Sequence, residues 1–263
     1  MNTRHIIFWI VAIIIILVVA RALPKDEATR TSVSTTTASS ADLSPIEVIP
    51  VTHATVILKW AGATLYADPT GTSTLFDTHN NPDIIFVTDV HGDHMSTSTL
   101  SRVIGGAILI VPQAVKELLP ISLLSHVVVL KNGETTKQSG FTITAVPMYN
   151  LPVTTDSRHT KGRGNGYVIE KNGTRIYIAG DTSGTPEMRA LKDIDIAFIP
   201  MNLPFTMGIE EAAEAVLAFS PKQVYPYHYR GQNGLSDTEA FKALVNKGSK
   251  NIEVILKNWY QTR

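Results

Sequence analysis

The chain has 263 residues, with 23 Lys and Arg balanced against 23 Asp and Glu, and it contains no cysteine. Zero net charge with scattered basic residues gives no sign of a nucleic-acid surface. The missing cysteines exclude disulfides and thiolate ligands, so any metal site must be built from His, Asp or Glu.

Ile6 to Ala20 is an unbroken apolar run behind Arg4 and His5. As a helix it covers about 22 Å, short of a bilayer core of about 30 Å. Extension to Leu23, with Arg21 snorkelling, brings it near spanning length. Residues 1–25 are therefore expected to form a membrane anchor. A signal peptide cleaved after Ala20-Arg21-Ala22 is the alternative. Either would place the rest of the chain outside the cytoplasm, periplasmic or extracellular. Residues 26–45 are rich in Ser, Thr and Ala and read as a flexible linker. Residues 46–263 are long enough to bury a core of their own.

Ile46–Val51, Thr55–Trp60 and Ala63–Ala67 read as three strands, with Ala61-Gly62 as a turn and Asp68-Pro69 as a stop. His53, between the first two, reads as a loop-tying histidine or as a group that orients a ligand. Ile84–Val87 is a short apolar run, hence a buried strand. The loop that leaves it, Val87-Thr-Asp-Val-His-Gly-Asp-His-Met95, holds Asp89, His91, Asp93 and His94. Gly92 is expected to tighten its turn, and Ser96 or Thr97 to cap a helix through Leu100 and Val103. Two imidazoles and two carboxylates around one turn suit zinc or a similar borderline cation.

Ala107–Val111 and His126–Leu130 are further strands, separated by a helix from Pro112 through Leu119. Phe141–Val146 alternates as a strand and ends in Pro147-Met-Tyr-Asn150. Leu151–Gly166 is a long glycine-rich basic loop, and loops of that length in compact domains are more often functional than idle. Within it His159 is a candidate substitute ligand, while Lys161 and Arg163 could hold an anionic group. Tyr167–Glu170 and Thr174–Ala179 form a hairpin that delivers Asp181. Ile194–Ile199 precedes the apolar segment Met201–Met207, a candidate pocket lining. An amphipathic helix Ile209–Phe219, a strand Gln223–Tyr227 ending at His228, a helix Ser236–Val245 and a strand Ile252–Leu256 complete the order.

The Asp89–His94 stretch resembles the His-x-His-x-Asp-His signature of the metallo-β-lactamase superfamily, with Asp89 in place of the first histidine. Val146-Pro-Met-Tyr-Asn150, Ala179-Gly-Asp-Thr182 and Tyr225-Pro-Tyr-His-Tyr229 follow in that family's order. The resemblance covers roughly Ile46 to Leu256 and looks closest to the branch with ascorbate-phosphate lactonases and N-acylphosphatidylethanolamine phospholipase D. It implies an α/β fold, a four-layer αββα sandwich of two mixed sheets flanked by helices. It also implies one or two divalent cations, zinc first, with manganese or iron as alternatives.

By the resemblance, Asp93, His94 and His228 would hold one cation, and Asp181 would bridge to a second held by His91 and Asp89. A histidine is usual at the position of Asn150, so two imidazoles of that second centre are missing. It is expected to be oxygen-ligated, weak or empty. A cation lowers the pKa of bound water to about 7 and polarises the bond under attack. Asp93 would orient that water, and Tyr149 or Tyr229 would donate to a developing oxyanion. The expected substrate is a small-molecule or lipid-like ester, lactone or phosphodiester. A tethered ligand-binding module without turnover is the alternative.

Overall fold

The computed structural model describes residues 45–260, all within one compact unit. The expected anchor and most of the expected linker fall outside the described residues. Strands β1 (Glu47–Thr52), β2 (Thr55–Trp60) and β3 (Ala63–Ala67) form an antiparallel meander. Three parallel strands extend it: β4 (Ile84–Phe86), β5 (Ile108–Val111) and β6 (Val127–Val129), giving a six-stranded sheet in sequential order.

The second sheet has seven strands. β7 (Thr135–Gln138), β8 (Phe141–Met148), β9 (Gly164–Lys171) and β10 (Thr174–Ile178) pair antiparallel. β11 (Ile196–Pro200), β12 (Gln223–Tyr227) and β15 (Glu253–Val254) then continue parallel from β10. A short hairpin, β13 (Arg230–Gly231) with β14 (Gly234–Leu235), stands apart from both sheets.

Period-two alternation decides which face each side chain joins. Ile84, Phe86 and Ile110 join the core shared with the second sheet, whereas Ile85, Val87, Leu109 and Val111 join a separate outer cluster. Between the sheets Trp60 meets Phe141 at 5.0 Å and Phe86 meets Tyr167 at 5.2 Å, centroid to centroid. Helices α1 (Thr97–Val103) and α2 (Gln113–Lys116) supply the outer cluster with Leu100, Val103 and Val115. Ser96 caps α1 by accepting from the Thr99 amide at 3.2 Å.

On the other side lie α3 (Pro186–Arg189), α4 (Ile209–Phe219) and α5 (Thr238–Gly248). Ala212, Ala215, Val216, Phe219 and Phe241 from α4 and α5 join the shared core. The result is the expected αββα sandwich.

Several local expectations change. The helix after Pro112 stops at Lys116, and Pro120 opens a 3-10 segment, Ile121–His126, because proline cannot continue a helix. β7 is a polar edge strand bonded only to β8, so it shows no apolar signal. β9 begins at Gly164 rather than Tyr167, pairing with Met148 of β8. Gly92 has an ordinary backbone and open space around it, so the turn does not depend on it.

Strand direction explains where the chemistry gathers. β3 and β4 run parallel, as do β10, β11 and β12, and β8 is antiparallel to β9 as β9 is to β10. Within each sheet these C-terminal ends therefore lie at one edge. Gly180 lets the two edges close: a Cβ there would meet Met148 Sδ at 2.4 Å and Thr88 Cβ at 3.0 Å. Its φ of +65° favours glycine independently.

Candidate metal centre

Strand exits bring together two sets of donor atoms. Asp93, His94, Asp181 and His228 form one, and Asp89, His91 and His159 the other, each with atoms within 4.8 Å of one another. In the first set the Nε2 atoms of His94 and His228 are 3.1 Å apart. Asp181 lies 3.3 Å from His94 and 3.2 Å from His228, and Asp93 lies 3.4 Å from His228. In the second, His91 Nδ1 is 2.7 Å and His159 Nε2 3.9 Å from Asp89 Oδ2. Asp181 Oδ2 also lies 3.3 Å from His159 Nε2, so this carboxylate touches both sets.

The imidazoles are held from behind. His94 Nδ1 lies 2.8 Å from Asp68 Oδ2 and 3.0 Å from Thr88 Oγ1. Asp68 in turn accepts from the Thr88 amide and hydroxyl, both at 2.7 Å. A carboxylate on Nδ1 selects the tautomer that turns the Nε2 lone pair toward the cluster. Asn150 does the same for His159, its Oδ1 standing 3.1 Å from Nδ1 and accepting the His159 amide at 2.9 Å. Asn202 faces His228 Nδ1 at 3.1 Å. His53 packs its ring 4.0 Å from that of His228, with Nε2 3.4 Å from Asp93 Oδ2 and Nδ1 2.8 Å from the Tyr260 hydroxyl.

The fit to a cation is visible in the unpaired atoms. His159 Nε2 and Asp181 Oδ1 are buried and make no hydrogen bond, although each lies beside a potential partner. Donors that converge without bonding one another are shaped for a shared third party. Asp68, Asp89 and Asp181 are buried carboxylates, and Arg163 neutralises only Asp89, through bonds of 3.1 and 2.9 Å. Burying the remaining charge requires a cation or protons.

Without a cation, protons would have to fill this role. Burial works against an imidazolium at His94, but Asp181 and Asp68 on either side outweigh it and raise its pKa well above 6.5. Burial works against the Asp181 anion, while His228 and His94 hold its pKa well below the usual range. A cation bound at His94 Nε2 would have to displace any proton held there. Loading at pH 7 is expected to release about one proton per cation, with affinity weakening as pH falls. Because the His94 pKa is raised, that weakening should begin above pH 6.5. Calorimetric zinc titrations in buffers of different ionisation enthalpy would measure the proton count, and a count of zero would show that His94 is neutral before zinc binds.

Other expectations need correction. The Tyr149 hydroxyl donates to Glu187 at 2.8 Å and Lys161 pairs with Glu187 at 2.7 Å, so both are engaged with each other's neighbour rather than with the donor atoms. The Tyr229 hydroxyl donates to the Lys257 carbonyl at 3.3 Å, turned toward the C-terminal segment. Arg163 is occupied by Asp89 and is not available to hold an anionic group in this arrangement. Asp68, Asn202 and Tyr260 were not anticipated. Asp68 had a usable signal, since it leaves β3 at the same sheet edge as the loop after β4.

A fold with two facing mixed sheets and histidines and aspartates at their common edge defines a metal-dependent hydrolase of the metallo-β-lactamase type. The chain belongs to the beta-lactamase superfamily, whose domain matches residues 47–228. It is similar to the UPF0173 metal-dependent hydrolase of Pyrococcus abyssi, 33% identical over 66% of this chain and 78% of that one. A Thermus thermophilus member of the same group is 32% identical over 70% and 84%. Among solved structures, a metal-dependent hydrolase from Parabacteroides distasonis matches with a TM-score of 0.68 at 35% identity, covering 81% of this chain and 92% of that one. These relatives do not single out the lactonase and phospholipase D branch.

They also overturn the expected localisation. The relatives are archaeal and bacterial metal-dependent hydrolases, which gives no support to membrane anchoring outside the cytoplasm. Among the described residues no helix is long and apolar enough to cross a membrane. Ile6 to Leu23, on which the expectation rested, lies outside them.

Proposed function

We propose that the chain is a dinuclear zinc hydrolase of small-molecule esters, lactones or phosphodiesters. The observation that carries this reading is the placement of His159. Its buried, unbonded Nε2 faces Asp181, and with Asp89 and His91 it gives the second centre two imidazoles and two carboxylates. His159 thus compensates for the histidine absent at Asn150, and Asn150 becomes the group that orients it. The missing imidazoles no longer argue for a module without turnover.

When bound, zinc supplies a Lewis acid and lowers the pKa of water. The protein's own groups do the rest. Asp93 is the more open carboxylate of its cluster, with its side chain 41% exposed. Burial raises its pKa, but hydrogen bonds from His228 and His53 outweigh this and hold it well below the usual range. It therefore stays ionised at neutral pH and is placed to orient an attacking water by accepting from it. His53 and Tyr260 fix that carboxylate from behind.

Elemental analysis of the purified chain should find two cations, with hydrolysis of generic chromogenic esters or phosphodiesters dependent on them. His159→Ala should lose one cation and keep the other, whereas Lys161→Ala should keep both. Two cations retained in His159→Ala would remove this residue from the centre.

A further inference from the structure

The loops around the donor atoms carry an apolar rim. Leu151, Val153, Leu203 and Leu235 are between 43% and 60% exposed, which is costly for large aliphatic side chains. They come from three segments, and each adjoins a residue of the site. Leu151 follows Asn150, which orients His159. Leu203 follows Asn202, which faces His228, and Leu235 lies on the hairpin that leaves His228.

The segments that carry these side chains are bonded to one another. Asn150 Nδ2 donates to the Phe205 carbonyl at 2.9 Å, and the Arg158 guanidinium lies 4.7 Å over the Phe205 ring. The Gln232 amide donates to the Leu203 carbonyl at 3.1 Å. Gly231 packs directly on this turn: a Cβ there would stand 2.3 Å from the Leu203 carbonyl oxygen. The loop of β13 and β14 is thereby pressed against the 201–207 segment.

We infer that the substrate is amphiphilic, with its scissile group at the donor atoms and an aliphatic or aryl substituent lying on the rim of Leu151, Val153, Leu203 and Leu235. This rests on the hydrolase reading above and names its substrate class. The argument is continuity: exposed aliphatic side chains sit on the same loops that place His159 and His228, where a substituent next to the bond under attack must lie.

The test uses the zinc-loaded protein with straight-chain alkylphosphonates of increasing length, measured by calorimetry, beside 4-nitrophenyl esters from acetate to decanoate. Affinity and kcat/KM should rise roughly two- to fourfold per methylene until the rim is covered, following the transfer of apolar surface from water. Leu203→Ser with Leu235→Ser exchanges two exposed side chains and should flatten that dependence with the zinc content unchanged. Phosphonate affinity that climbs with length while no ester turns over would support the rim and count against the ester chemistry. Turnover with no length dependence, or a dependence untouched by the double substitution, would overturn the amphiphilic substrate and leave the hydrolase standing.

Discussion

Asp181→Asn is expected to strip both cations rather than one. This carboxylate alone reaches across the clusters, with His94 and His159 each 3.3 Å and His228 3.2 Å away. An amide keeps the shape but removes the charge, and it turns an N–H toward one of three imidazoles whose lone pairs should face a cation. Loss of outer-shell partners typically costs 10–100-fold in metal affinity, so loss of a shared direct donor should exceed about a hundredfold. Hydrolysis should fall at least as far. Zinc stabilises the native state in proportion to its binding, so the thermal shift on adding zinc should shrink with it. Two tightly held cations in the variant, with a normal thermal shift, would show that Asp181 bridges nothing.

Asp68→Asn is expected to be nearly as damaging although Asp68 faces away from the cation positions. Its φ is +45°, a conformation asparagine tolerates well, so the backbone should be kept. Both carboxylate oxygens are in use, one for the Thr88 amide and the other for the Thr88 hydroxyl and His94 Nδ1. An amide has one acceptor. Keeping it on the Thr88 N–H puts an NH2 against His94 Nδ1 and forces the tautomer with the proton on Nε2. The lone pair then points away from the cluster. Zinc affinity should fall 10–100-fold, with circular dichroism unchanged. Asp68→Glu should not rescue it, because a longer side chain cannot occupy the same buried space. Unchanged zinc affinity in Asp68→Asn would mean that His94 is oriented by something else.

Much of this was legible along the chain. Alternation in Phe141–Val146 and the short apolar runs in Thr55–Trp60 and Ile84–Val87 identify strands because these signals are local. The Asp89–His94 loop signals a metal site because donors packed this closely on one loop cannot lie far apart, although the structure divides them between two sets. Polar edge strands such as Thr135–Gln138 leave no such mark, since only backbone bonding to β8 holds them. The direction of a hydroxyl is equally invisible: Tyr149 and Tyr229 stand beside site residues in sequence, yet they bond Glu187 and the Lys257 carbonyl.

The composition and the order of motifs by themselves determined the fold family, the cysteine-free donor set and the strand exits that carry Asp93, His94, Asp181 and His228. Only the tertiary structure decided what repairs the departures at Asp89 and Asn150. His159 is nine residues beyond Asn150 on an irregular loop, and no period relates them. The sequence offers it as a candidate ligand, and its place beside Asp89 and Asp181 is set by Asn150, which holds both its ring and its backbone amide. Asp68 is 26 residues before His94, and Arg163 is 74 residues after Asp89. Such pairs are made by two sheets closing at Gly180, where charge neutralisation and tautomer choice depend on distances that sequence separation does not contain.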